Sequence, residues 1–78
     1  MYTVYILKSE ILSKYYVGYT SMSIEERLSR HLNDHSGFTS KAKDWAVVYT
    51  KSFNSKTEAI KLELSIKKRG IQRYLDSL

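Results

Sequence analysis

Two runs of β-branched and aromatic residues near the start of the chain, Thr3-Val4-Tyr5-Ile6-Leu7 and Tyr16-Val17-Gly18-Tyr19, restrict its fold more than anything that follows. Turn-tolerant polar residues lie between them, so the runs read as the two strands of a hairpin. Successive side chains on a strand alternate between faces, which groups Tyr5 with Thr3 and Leu7 and groups Tyr16 with Gly18. Gly18 leaves a gap beside Tyr16. A glycine within a strand marks a bulge or a place where a ligand or another backbone comes close. Ordinary half-buried strand aromatics would produce the same pattern, so the tyrosines alone assign no function.

The remaining elements can be placed around that hairpin. Tyr2 to Lys8 carries apolar residues on both faces and reads as a central strand, and the second strand runs from Tyr15 to about Thr20. The connection from Ser9 to Lys14 contains Ile11 and Leu12, which are expected to fold back onto the core. Ser23-Ile24-Glu25-Glu26 is a capping box, in which the serine accepts from the first turn and the glutamate reaches back. It starts a helix with the stripe Ile24, Leu28, Leu32, expected to reach about His35 and to stop at Gly37. Ser36 to Asp44 has the composition of an exposed basic loop able to touch a phosphate backbone. Trp45 to Phe53 is the third strand, with Trp45, Val47, Tyr49 and Phe53 on one face and Ala46, Val48 and Thr50 on the other.

Ser55-Lys56-Thr57-Glu58 repeats the capping box. The helix behind it bears Ala59, Ile60, Leu62, Leu64 and Ile66, ends in Lys67-Lys68-Arg69 where cations suit the helix dipole, and stops at Gly70. Ile71, Tyr74, Leu75 and Leu78 then recur at helical spacing. A helix-length crossover lets the third strand pair on the free edge of the first. The expected fold is therefore α+β, a small three-stranded antiparallel sheet in order 2-1-3 with helices packed against it, in the sequence β-β-α-β-α-α.

A chain of 78 residues has room for one domain, residues 1–78, and buries only about 60% or slightly more of its unfolded surface. It has no cysteine, which excludes a disulfide framework and a thiolate metal site. No apolar run reaches membrane-spanning length and no leader pattern precedes the first strand, so the expectation is a soluble, cytoplasmic protein without a membrane partner. With 13 Lys+Arg against 8 Asp+Glu, a net charge of +5 and a pI near 9.5, a polyanion is the first partner to consider, and nucleic acid is the obvious one.

One charged residue sits where the helical pattern calls for an apolar one. Advancing about 100° per residue, the apolar side chains of the second helix centre on a direction that Glu63 shares to within roughly 25°. Burying a carboxylate there costs several kcal/mol unless it is paired or holds a metal. Lys67, one turn on, is the plain structural partner. On the first helix Arg27 and His31 are four residues apart, stacked at the edge of the Ile24-Leu28-Leu32 stripe, where they face either solvent or a groove.

Together these residues resemble the GIY-YIG nuclease family. Its first half-motif appears as Thr3-Val4-Tyr5 and its second as Tyr16-Val17-Gly18. Arg27-Leu28-Ser29-Arg30-His31 is similar to the family's Arg-Leu, two residues, His helix, and Glu58-Ala59 leading to Glu63 and Ile66-Lys67 is similar to its metal-binding helix. The likeness covers essentially the whole chain and is nearest to the small stand-alone bacterial members, related to the GIY-YIG catalytic domains of repair excinucleases and of homing endonucleases. Thr3 stands where the name motif has Gly, Val17 stands for Ile, and no Asn follows Glu63 where some members place one.

The resemblance implies a metal-dependent endonuclease that hydrolyses phosphodiester bonds in DNA, with low sequence specificity, dependence on substrate structure and a place in DNA repair. It implies Tyr5, Tyr16, Arg27, His31 and Glu63 as the catalytic set. Glu63 would hold one Mg²⁺ or Mn²⁺, since a hard cation is content with one carboxylate plus waters and phosphate oxygens. Arg27 would clamp the scissile phosphate, and His31 would hydrogen-bond a tyrosine or the attacking water. A tyrosine base, with a free pKa of about 10, needs a nearby cation; Tyr16 takes that role here with Tyr5 positioning it, and the reverse assignment stays open. Two other functions stay open as well: a catalytically idle nucleic-acid-binding module, and a component of a larger complex whose specificity comes from a protein partner.

Overall fold

In a computed structural model, residues 1–33 and 42–78 are described, with His31 and Asn33 described by their backbone alone. Strand β1 (Tyr2–Ser9) lies in the middle of the sheet, hydrogen-bonded antiparallel to β2 (Lys14–Thr20) on one side and to β3 (Ala46–Phe53) on the other. The order is β2-β1-β3. Helices α1 (Ile24–Asn33), α2 (Lys56–Arg69) and α3 (Ile71–Asp76) complete the expected β-β-α-β-α-α succession.

The central position of β1 follows from its composition. Val4, Tyr5, Ile6 and Leu7 are all buried, so the strand is covered on both faces. Val4 and Ile6 meet Val17, Ala59 and Ile66, with Leu62 of α2 and Ile71, Tyr74 and Leu75 packed around them. Tyr5 and Leu7 meet Trp45, with Tyr16, Val47 and the α1 stripe Ile24, Leu28 and Leu32. The sheet is therefore sandwiched, with α1 on one face and α2 and α3 on the other. Each fully buried side chain of this size contributes about 1.5–3 kcal/mol, and two such clusters share one strand.

Both serine caps form. Ser23 Oγ accepts from the Glu26 amide at 3.2 Å and Ser55 Oγ from the Glu58 amide at 3.4 Å. Gly70 ends α2 with its amide donating to the Ile66 carbonyl at 2.9 Å, and its φ of 100° is a conformation that other residues adopt only with strain. The expected extension of α1 to His35, its stop at Gly37 and the loop residues 36–41 lie outside the described residues. Of that loop's two lysines, Lys43 donates from Nζ to the Leu32 carbonyl at 2.6 Å.

Two expectations need correction. The register of β3 shifts between Ile6, opposite Tyr49, and Leu7, opposite Val47. The shift is a bulge that takes up Val48 as an extra residue and turns the following residues over. Trp45 and Val47 consequently face α1, whereas Tyr49 and Phe53 face α2 and α3, so the four do not share one face. Tyr49 is placed to hydrogen-bond Tyr74 of α3, hydroxyl to hydroxyl, at 2.8 Å. In the β1–β2 connection Leu12 packs on the core as expected, but Ile11 is 74% exposed. Its amide is held instead: Asp44 Oδ2 accepts from the Ile11 amide at 3.0 Å while Asp44 Oδ1 accepts from Ser9 Oγ at 2.6 Å. That hold fixes the turn so that Leu12 alone points inward.

Candidate active site

The hairpin register explains why two tyrosines and a glycine occur together. Tyr5 pairs with Gly18 and Leu7 with Tyr16, so Tyr5 and Tyr16 are diagonal neighbours on the α1 face. Their ring centroids are 6.4 Å apart and their planes are inclined by 33°. A Cβ at Gly18 would lie 2.8 Å from Tyr5 Oη, 3.0 Å from Tyr5 Cζ and 3.2 Å from Tyr16 Cε1. The gap expected beside Tyr16 is thus filled by the phenol of Tyr5, which crosses the β2 backbone where only glycine leaves room.

From there Tyr5 reaches α1. Ile24, Leu28 and Leu32 anchor that helix on the sheet, and the half-buried Arg27 beside Leu28 donates from Nε to Tyr5 Oη at 3.0 Å. Tyr5 is 1% exposed. Burial pushes its pKa above the usual phenol value; the Arg27 hydrogen bond and charge oppose that rise, and the negative charges available to Tyr16 and Glu63 add to it. Arg27 in turn holds its proton more firmly than usual, first through the bond to Tyr5, with Tyr16 contributing in the same sense. Tyr16 is only half-buried. One cation and two phenols therefore form a single electrostatic unit supported by β1, β2 and α1.

His31 lies one turn beyond Arg27 on α1, and its side chain lies outside what the structure describes. Glu63 belongs to α2, between Leu62 and Leu64. Its side chain is only 12% exposed, and Oε1 stands 3.0 Å from Nζ of Lys67. The carboxylate near the core thus has the partner that its position requires. Among the described residues no three His, Cys, Asp or Glu side chains gather as a metal cluster. A lone, nearly buried carboxylate fits a hard divalent cation that keeps most of its coordination for water and phosphate oxygens, as Mg²⁺ does. Glu63 is such a donor, so the residues present fit that ion.

Several features here have no counterpart in the sequence pattern. The Tyr5–Arg27 hydrogen bond joins residues on different elements, and the Ser9–Asp44 bond joins residues 35 positions apart. The helical spacing of Arg27 placed it at the edge of the apolar stripe, which was the available signal for the first. No helix among the described residues is long and apolar enough to cross a membrane.

The family model of the GIY-YIG catalytic domain matches residues 1–74. No curated protein and no solved structure matches the chain.

Proposed function

The chain belongs to the GIY-YIG catalytic-domain family, a family of nuclease type, and from that premise we propose that it is a metal-dependent endonuclease hydrolysing phosphodiester bonds in DNA with low sequence specificity. The observation that carries this reading is the Tyr5–Arg27 hydrogen bond. With Nε engaged by a buried phenol, the guanidinium is held from its inner side, and its terminal nitrogens are the part of the fork that would take the scissile phosphate in two parallel hydrogen bonds. A lysine could not be oriented this way.

The two tyrosines then divide the work. Tyr5 is buried and resists ionisation, so it acts as the support that aims Arg27. Tyr16 is the more accessible phenol and lies beside the same guanidinium; Tyr16 would accept the proton of the attacking water. His31, one turn from Arg27, would orient that water or Tyr16. Glu63 would hold one Mg²⁺ or Mn²⁺, which when bound supplies positive charge to the leaving oxygen. The net charge of +5 supports a polyanionic substrate, bound through its backbone without reading bases.

A second reading is favoured by one observation. The Glu63–Lys67 ion pair neutralises the carboxylate without any metal, as an idle nucleic-acid-binding module would require. Incubation with duplex, single-stranded and branched DNA and with RNA, with and without Mg²⁺ or Mn²⁺, separates the two. The endonuclease reading expects metal-dependent cleavage of DNA that Arg27→Ala and Tyr16→Phe both cripple. Binding without cleavage of any substrate under either metal contradicts it.

A further inference from the structure

Glu63 and Lys67 are unequal partners. The carboxylate side chain is 12% exposed and the lysine side chain 54% exposed, with 3.0 Å between Oε1 and Nζ. If the pair opens, Glu63 recovers little hydration, whereas the ammonium can move into water on a flexible four-carbon stem. The same pair stands where a divalent cation would have to sit. A single and a double positive charge about 4 Å apart repel strongly enough, even in bulk water, to weaken the binding of one of them on the order of tenfold or more. Ammonium and metal therefore compete for one carboxylate.

We propose that Lys67 is an internal stand-in for the metal: it neutralises Glu63 before the cation binds, is displaced when the cation arrives, and is thereby released to contact the substrate's phosphate backbone. This rests on Glu63 being the metal ligand proposed above. It makes metal binding and nucleic-acid binding mutually reinforcing, because the cation frees a positive charge that was previously spent inside the protein. It also accounts for the position of the lysine. Lys67 is one turn from Glu63 and stacked on it, while Lys68, five residues from Glu63, projects about 140° away around the helix and stays exposed.

The test compares the folded full chain with Lys67→Met, Lys68→Met and Glu63→Gln, each checked by its melting curve, with Lys67→Gln as a second variant should Lys67→Met fold poorly. Mn²⁺ affinity is read from the resonance signal of the free ion. Lys67→Met is expected to bind Mn²⁺ roughly threefold to tenfold more tightly than the parent, Lys68→Met to stay within about twofold, and Glu63→Gln to lose binding. The salt dependence of binding to a short DNA duplex gives a second readout. Lys67→Met should reduce the slope by about 1 in the presence of Mg²⁺ and leave it unchanged without the metal. Unchanged or weaker Mn²⁺ binding in Lys67→Met, together with loss of binding in Glu63→Gln, overturns the role of Lys67 and leaves Glu63 as the ligand. Retention of parental Mn²⁺ affinity in Glu63→Gln overturns the metal site itself. An equal fall in slope with and without Mg²⁺ overturns the release of Lys67 by the metal.

Discussion

Gly18→Ala tests the geometry on which the site is built. The added methyl would meet Tyr5 Oη at 2.8 Å, closer than real Cβ contacts come, and Tyr5 Cζ at 3.0 Å, tighter than most of them. Tyr5 cannot move aside cheaply, because it is 1% exposed and packed with Leu7 and Trp45. Overpacking of this kind costs about 1–3 kcal/mol. Displacing the phenol also strains or breaks its hydrogen bond to Arg27, and a bond to a charged group contributes about 1.5–3 kcal/mol. The expected outcome is destabilisation of about 2–4 kcal/mol, the two effects overlapping because both act on one ring. In a domain of this size that lowers the melting temperature by roughly 10–25 °C. Urea denaturation gives the free energy, and repeating the substitution in a Tyr5→Phe background gives the cause. Without the hydroxyl the closest clash disappears, so Gly18→Ala should cost at least about 1 kcal/mol less there. A near-neutral Gly18→Ala, or an equal cost in both backgrounds, would refute the close approach of Tyr5 to β2.

Trp45 is 3% exposed between β1 and α1, so Trp45→Ala should destabilise the fold by about 3 kcal/mol or more in the same denaturation assay. Binding to DNA should be weak, indifferent to sequence and steeply reduced by salt, as a titration at several ionic strengths would show; affinity that ignores salt rejects the backbone-binding surface. Asp44 has a pKa below the usual 3.8, first because Ser9 donates to it and then because the Ile11 amide does. A carboxyl that is more acidic in the folded state stabilises that state above pH about 4, and the benefit is lost as pH falls through the folded value. Acid unfolding followed by circular dichroism should therefore lose part of its steepness below pH about 4 in Asp44→Asn; an unaltered acid limb rejects this role.

The fold was legible because its signals are local and agree with each other. Two serine caps, a glycine stop at Gly70 and a hairpin pattern fixed the element order, and the length of the crossover fixed β3 on the free edge of β1. The faces of β3 were not legible. Val47 and Val48 are both apolar, so nothing in the alternation marks an inserted residue, and the bulge is set by the pairing with Ile6 and Leu7. Ile11 and Leu12 are equally apolar, and the choice between them depends on Asp44, a residue distant in sequence. At the candidate site, Glu63 stood out because a carboxylate in an apolar stripe is costly. Gly18 also stood out, but its neighbour is the ring of Tyr5 from the paired strand, which becomes apparent only once the register is known.

The most direct measurement is the Mg²⁺-dependent cleavage of DNA by Glu63→Gln, made alongside its DNA affinity. The substitution keeps the size of the side chain and removes the charge that would hold the cation. If Glu63 is the metal ligand, cleavage should be abolished while binding to DNA stays within a few-fold of the parent, because a bare carboxylate near a phosphate repels it and its removal does not weaken the contact. Full cleavage by Glu63→Gln, with Mg²⁺ and on a substrate the parent cuts, would contradict the account and leave Glu63 as the structural partner of Lys67.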